Sequence, residues 1–184
     1  MIDKSSKATI LYVEDNCIIQ MGMISFLSGE GFDILLADNG TQALHYIFDE
    51  KLSIDALLTD VDIGAGVNGW EVARCARLQV PTMPVVYTSG VCDDEWIANA
   101  VPFGRLCRKP FVPSQVIALL SSLLGGGQAV EATVMPILGC SPPAALLLPV
   151  LDPAILAIAQ IASMEEAPPA RKLYRSGRWQ PVRI

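Results

Sequence analysis

Short apolar runs alternate with segments of helical period along the first two thirds of the chain. Five of the runs predict buried strands, at residues 8–13, 32–37, 54–59, 84–88 and 105–108. Apolar residues spaced three and four apart predict a helix after each strand. Strands that alternate with helices are typical of a parallel sheet covered on both faces. The pattern therefore predicts an α/β fold with a five-stranded, doubly wound parallel sheet in the order 2-1-3-4-5.

The composition changes after the fifth predicted helix. The remaining residues are rich in proline, alanine and leucine and end in a basic stretch. We therefore expect one domain over residues 1–124, followed over residues 125–184 by a linker and a C-terminal tail whose basic end is solvated. The tail has one candidate helix at 152–165, because Asp152 can cap it and Pro153 suits the first helical position.

The charge balance argues against an extended nucleic-acid surface. The 184 residues include 13 Lys and Arg against 19 Asp and Glu, a formal net charge of -6. No helix-turn-helix pattern follows residue 125, so we expect no nucleic-acid partner and no DNA-binding output. Prolines interrupt the long uncharged stretch at 132–151, and the N-terminus does not resemble a signal peptide. These features predict a cytoplasmic protein with no membrane partner.

Cysteine and histidine give no sign of a metal site. None of the cysteines forms a CxxC pair, and His45 has no ligand partner one helical turn away. We therefore expect free thiols and a histidine with a packing role. The cysteines are Cys17, Cys75, Cys92, Cys107 and Cys140.

Polar residues that can support chemistry follow four of the predicted strands. Glu14 and Asp15 follow the first strand, Asp60 the third, Thr88 ends the fourth, and Lys109 follows the fifth. The carboxyl ends of parallel strands meet at one edge of a sheet, so these side chains should lie close together. Oxygen ligands of this kind suit Mg²⁺, and a carboxylate beside the ion can attack phosphorus. The arrangement predicts a phosphoryl-transfer site in which the lysine and the hydroxyl hold the transferred group.

Four segments, ILYVEDN, LLTDVDIG, PVVYTSG and CRKPF, occur in this order. Together they resemble the receiver domain of bacterial two-component response regulators of the stand-alone type, over about residues 8–124. The resemblance implies a flavodoxin-like fold and a phosphorylated aspartate. The residues implied are Asp60 as phosphoacceptor, Glu14, Asp15, Asp60 and the backbone of Asp62 as magnesium ligands, Thr88 as switch hydroxyl, and Lys109 as phosphate contact.

The same resemblance implies partners and a mode of signalling. A histidine kinase or histidine phosphotransfer protein would donate the phosphoryl group, and a downstream protein would recognise the face made by the fourth helix, fifth strand and fifth helix. The same face can form a homodimer. The chain would not be an enzyme beyond self-dephosphorylation at Asp60. The Lys109–Pro110 peptide is cis in relatives, and Leu106 stands where many of them carry an aromatic switch residue.

Two other interpretations involve the loop after the third predicted strand. Asp60 and Asp62 resemble the nucleophile and general acid of haloacid-dehalogenase-type phosphatases, although in those proteins the acidic magnesium pair follows the lysine. Gly64, Gly66 and Gly69 match a dinucleotide-binding GxGxxG motif, which normally follows the first strand instead of the third. The order of the segments favours the receiver interpretation.

Overall fold

The computed structural model describes residues 7–90, 93–125, 172–175 and 177–181. The candidate helix at 152–165 lies outside the described residues. Strands and helices alternate up to residue 124, and two strands follow near the C-terminus. The elements are β1 (Thr9–Val13), α1 (Cys17–Gly29), β2 (Asp33–Ala37), α2 (Gly40–Ile47), β3 (Ala56–Asp60), α3 (Gly69–Gln79), β4 (Val85–Ser89), α4 (Asp93–Asn99), β5 (Arg105–Arg108), α5 (Pro113–Leu124), β6 (Lys172–Arg175) and β7 (Arg178–Pro181).

The sheet has the strand order β5-β4-β3-β1-β2-β6-β7. Strands β1 to β5 are parallel and have the predicted order 2-1-3-4-5, so the predicted fold class is confirmed. Val13 lies beside Thr59 in the register, and Asp60 lies beside Thr88. The register therefore brings the carboxyl ends of β1, β3 and β4 to the same edge of the sheet.

Both faces of the sheet are buried along the parallel strands β1 to β4. In β1, Leu11 and Val13 belong to the core cluster that includes residues of α2 and α3, whereas Ile10 and Tyr12 belong to the cluster that includes residues of α1 and α5. Burial on both faces explains why the parallel strands have continuous apolar runs instead of alternating polarity. Within the described ranges, no helix is both long and apolar enough to cross a membrane.

Asparagine side chains fix where the first three helices begin. The Asn16 carboxamide oxygen accepts a hydrogen bond from the Ile18 amide at 3.0 Å, and Asn39 caps α2 in the same way. Asn68 and Glu71 form a reciprocal capping box at the start of α3. These caps hold the links between strands and helices in place at the edge where the predicted site lies.

The C-terminal strands β6 and β7 correct the predicted strand count. Within the described residues the sheet has seven strands and not five, because β6 pairs antiparallel with β2 and β7 pairs antiparallel with β6. The part of the tail from residue 172 to 181 is therefore a hairpin on the sheet edge and not a solvated basic end. Gly177 has φ +79, which suits the tight turn, and Tyr174 packs edge-on against Trp179. The apolar residues of the hairpin are few, so its pattern does not stand out from that of a tail.

An ion pair joins this hairpin to the buried start of β2. The Arg175 Nε atom lies 2.6 Å from Asp33 Oδ2, and the Asp33 side chain is only 3% exposed. The Asp33 Oδ1 atom is buried and has no hydrogen-bond partner among the described residues. The pair therefore provides a counter-charge for a carboxylate that has little access to water.

Arg175→Gln is expected to destabilise the protein by roughly 1–3 kcal/mol, because it leaves a buried carboxylate without its cation. Urea unfolding of the full chain measures this change. Arg178→Gln is the matched control, since Arg178 is an exposed arginine on the same hairpin. An equal or smaller loss for Arg175→Gln than for the control contradicts the structural role of the ion pair.

Candidate functional site

A pocket opens at the carboxyl edge of the parallel strands, where the sequence predicts the site. Four of the predicted acidic residues and the predicted lysine line this pocket. The lining residues are Glu14, Asp15, Asn16, Ile19, Asp60, Asp62, Gly64, Ser89, Gly90 and Lys109. The links after β1, β3, β4 and β5 thus all contribute to one cleft.

Asp60 and Lys109 form the closest contact in this pocket. The Lys109 Nζ atom lies 2.5 Å from Asp60 Oδ2, and the Asp60 side chain is only 5% exposed. The Asp62 backbone amide donates to Asp60 Oδ1 at 3.3 Å. The Lys109 amide donates a hydrogen bond to the Ser89 carbonyl oxygen, which ties the lysine to the end of β4. The Lys109–Pro110 peptide bond is cis, as the resemblance implies. Both oxygens of the aspartate therefore have donors, and the carboxylate has a fixed orientation.

Glu14 is a second buried carboxylate of the pocket. It is only 1% exposed and accepts a hydrogen bond from the Asn16 amide at 3.2 Å. Burial, followed by repulsion from the Asp60 carboxylate, raises the pKa of Glu14 to about 7. Ionising Glu14 therefore costs free energy, and a positive charge in the pocket would reduce that cost.

This pKa predicts how the stability of the metal-free protein changes with pH. The folded state holds a proton on Glu14 up to about pH 7, whereas the unfolded chain loses it near the ordinary glutamate pKa of 4.5. The folded state binds more protons in that window, so this contribution to stability falls as the pH rises through it. Glu14→Gln removes the contribution and is expected to be more stable than wild type at about pH 8, by a margin on the order of 3 kcal/mol.

Urea unfolding with a chelator present, at about pH 5 and about pH 8, measures this effect. The advantage of Glu14→Gln should be much smaller at the lower pH. Asp15→Asn serves as the control, because it removes a neighbouring carboxylate and keeps Glu14. A constant difference between Glu14→Gln and wild type at both pH values contradicts the burial argument.

The oxygen atoms of the pocket fit a hard divalent cation. In the described part of the chain, no three acidic, histidine or cysteine side chains converge on one point as a closed metal cluster. Mg²⁺ does not require such a cluster, because it usually keeps several waters and binds through one or two carboxylates. Glu14, Asp15 and Asp60 place three carboxylates of a suitable kind along one cleft.

The two hydroxyl residues at the end of β4 differ in position. Thr88 lies beside Asp60 in the register, and its Oγ1 atom is buried without a hydrogen-bond partner among the described residues. Thr88 does not line the pocket, whereas Ser89 does. The sequence pattern places both Thr88 and Ser89 at the end of the fourth predicted strand, but the family resemblance implies a role for Thr88 alone.

Leu106 lies outside the pocket. Its side chain is half-buried and packs against the core cluster that includes residues of α2 and α3. It has no hydroxyl group and no ring that could pair with Thr88.

Comparison with known families agrees with this geometry. The model of the response regulator receiver domain matches residues 10–120, which contain β1 from its second residue, all of β2 to β5 and every residue of the pocket. The chain belongs to the receiver domain family. Receiver domains act in two-component phosphorelay signalling, interact with histidine kinases and bind Mg²⁺ in their active site. Because the matched residues include Asp60, Asp62 and the glycines of the same loop, we interpret this loop as part of a receiver domain and not as a phosphatase or dinucleotide-binding motif.

Individual receiver proteins show the extent of the similarity. A response regulator receiver protein of Sinorhizobium medicae is 35% identical, with a TM-score of 0.63 over 66% of this chain and 97% of that one. The receiver domain of a sensor histidine kinase of Pseudomonas aeruginosa, which has magnesium coordinated in its active-site cleft, shares the fold at 24% identity and a TM-score of 0.57, over 65% of this chain and 99% of that one.

The curated relatives are longer proteins. The sensor kinase CckA of Brucella abortus is 28% identical over 66% of this chain and 13% of its own length. The chain spans about half the length, or less, of the curated relatives that it matches. The similarity to these proteins therefore covers only a part of each of them.

Proposed function

We propose that Asp60 is the residue that accepts the phosphoryl group and that the chain signals through protein contacts. The observation that carries this proposal is the pairing of the buried Asp60 carboxylate with Lys109 at 2.5 Å, in a pocket that also holds the buried Glu14. A nucleophilic carboxylate, a fixed cation and a second acid are the groups that phosphoryl transfer through an acyl phosphate requires.

The chemical step is a displacement at phosphorus. An Asp60 oxygen forms a bond to the phosphorus atom of the donor, and the leaving group departs with the electron pair of the bond that breaks. Lys109 then neutralises charge on the transferred group, and the unpartnered hydroxyl of Thr88 can donate to one of its oxygens. Both interactions favour the phosphorylated state.

We assign the magnesium ligands to Glu14, Asp15, Asp60 and the backbone carbonyl of Asp62. The raised pKa of Glu14 supports this assignment, because a bound cation lowers the cost of ionising this buried acid. When bound, Mg²⁺ would reduce the repulsion between these carboxylates and the phosphoryl oxygens.

The surface of α1 supports a protein donor. This helix contains no charged residue, and its Ile18 and Met21 side chains are 78% and 75% exposed. Ile19 of the same helix lines the pocket. An uncharged apolar surface beside the site is suited to a protein contact, and we infer that a histidine kinase or histidine phosphotransfer protein binds there.

We infer that the downstream protein target, or a second copy of the chain, binds the face formed by α4, β5 and α5. Ile97 is 77% exposed on α4, and Arg108 of β5 forms an ion pair with Asp93 of α4 across this face. An apolar residue beside paired charges is suited to a partner that binds reversibly.

Labelling of the wild-type chain tests the proposed chemistry. Acetyl phosphate with Mg²⁺ is expected to add one phosphoryl group per chain, measured by intact mass, and a chelator should remove most of this labelling. Ca²⁺ in place of Mg²⁺ controls for general charge screening. Equal labelling with and without the divalent cation would contradict the assigned role of the acidic residues.

A further inference from the structure

An aromatic cluster lies between the site and α4. The rings of Trp70 and Tyr87 have their centroids 4.7 Å apart, and Trp96 lies 5.4 Å from Tyr87 and 6.0 Å from Trp70. Trp70 and Tyr87 are buried, whereas Trp96 is partly buried and packs on the same core cluster. The three residues come from α3, β4 and α4, so the cluster connects three elements.

The site end of this cluster is attached to the backbone around Asp60. Trp70 follows Gly69, whose amide donates to the Val61 carbonyl oxygen. A Cβ atom on Gly69 would lie 2.0 Å from the Asp60 carbonyl oxygen, so α3 starts in close contact with the phosphoacceptor strand. Tyr87 is the residue before Thr88 on β4. A displacement of either strand end therefore reaches an aromatic ring of the cluster directly.

The other end of the cluster is Trp96, which packs α4 against the rest of the domain. This helix has no buried residue of its own, and its partly buried Trp96 packs edge-on against Tyr87. The Tyr87 hydroxyl accepts a hydrogen bond from the Val101 amide, just beyond the helix, at 3.2 Å. Tyr87 thus contacts both the helix and the segment that follows it. A Cβ atom on Gly104 would lie 3.0 Å from the same ring, so the tyrosine has little room to move independently.

We propose that the Trp70–Tyr87–Trp96 cluster couples the chemical state of Asp60 to the position of α4. The inference rests on the proposed phosphorylation of Asp60. The cluster connects β4 to α4 without an aromatic side chain at position 106, which is occupied by Leu106. When the hydroxyl of Thr88 gains a partner, the end of β4 shifts, and the ring of Tyr87 transmits that shift to Trp96 and Val101.

Hydrogen exchange and fluorescence test this coupling in the full chain. Trp179→Phe serves as the parent variant, because it removes the tryptophan that lies outside the cluster in β7. The parent is treated with Mg²⁺ and acetyl phosphate, and intact mass gives the labelled fraction. We expect labelling to change both the tryptophan emission and the amide exchange of residues 93–101. Coupling between sites typically amounts to about 5–150-fold in an equilibrium constant.

Tyr87→Phe in the parent keeps the ring and removes the hydrogen bond from the Val101 amide, so it should keep the labelled fraction and reduce the exchange response at Val101 by at least about fivefold. Trp96→Leu removes the ring that packs edge-on against Tyr87, so it should reduce the exchange response of α4 as a whole by a similar factor. It also serves if Tyr87→Phe does not fold. Tyr46→Phe is the matched control, because Tyr46 is also buried, and its hydroxyl accepts a hydrogen bond from the Gln42 side chain. It should leave the response unchanged.

The outcomes separate this inference from the proposed function. A labelled parent without a response in α4, or labelled Tyr87→Phe and Trp96→Leu variants with a full response, overturns the coupling and leaves Asp60 as phosphoacceptor. A parent that takes up no phosphoryl group overturns both.

Discussion

Asp60→Asn is expected to abolish labelling by acetyl phosphate while the chain stays folded. The carboxamide keeps the shape of the side chain but loses the anionic oxygen that attacks phosphorus. The folded state should tolerate the substitution. The carboxylates of Glu14 and Asp60 repel each other, and Asp60→Asn removes one of the two charges. Intact mass should show no added phosphoryl group, and circular dichroism should match wild type.

Asp62→Asn is the matched control for this experiment. Asp62 lines the same pocket, but only its backbone amide contacts Asp60. The control variant should therefore still be labelled, although the lifetime of its phosphoryl group can differ. Labelling of Asp60→Asn to the wild-type level contradicts the choice of phosphoacceptor.

Gly69→Ala is expected to damage both the fold and the site. The added Cβ atom would lie 2.0 Å from the Asp60 carbonyl oxygen and 2.8 Å from Val61 Cα. These neighbours are backbone atoms, so the contact is relieved only if α3 or the end of β3 moves. Overpacking of this kind typically costs about 1–3 kcal/mol or more. We expect that loss in urea unfolding, together with slower labelling at Asp60.

Gly22→Ala is the matched control for the added methyl group. Gly22 lies within α1, and a Cβ atom there would meet nothing within 4 Å. Alanine is the better helix former by up to about 1 kcal/mol, so this variant should be as stable as wild type or more stable. If Gly69→Ala is as stable as Gly22→Ala, the close contact between α3 and β3 does not require a glycine at position 69.

The parallel part of the fold could be predicted from the sequence because each of its signals is local. Strands buried on both faces have continuous apolar runs, and the helices between them have apolar residues at helical spacing. The order 2-1-3-4-5 follows from right-handed crossovers together with the family resemblance. The site residues could be predicted for the same reason, since Glu14, Asp60 and Lys109 each stand directly at a strand end.

Features that depend on distant contacts could not be predicted. The partner of Arg175 is Asp33, and nothing in either local sequence identifies the other. The aromatic rings of α3, β4 and α4 come together only in the folded protein, where Trp70 lies against Tyr87. The different surroundings of the hydroxyls of Thr88 and Ser89 depend on the exact end of β4, and such ends are the least reliable part of a prediction from sequence.

The hairpin on β2 also determines where this protein can be cut for study. A fragment that ends at Leu124, close to the limit of the family match, would lack β6 and β7. The backbone N–H and C=O groups along the outer edge of β2 would then be open to solvent, and Asp33 would lose its arginine partner. An unprotected edge strand of this kind is a template for pairing between molecules, so the trimmed domain would tend to aggregate.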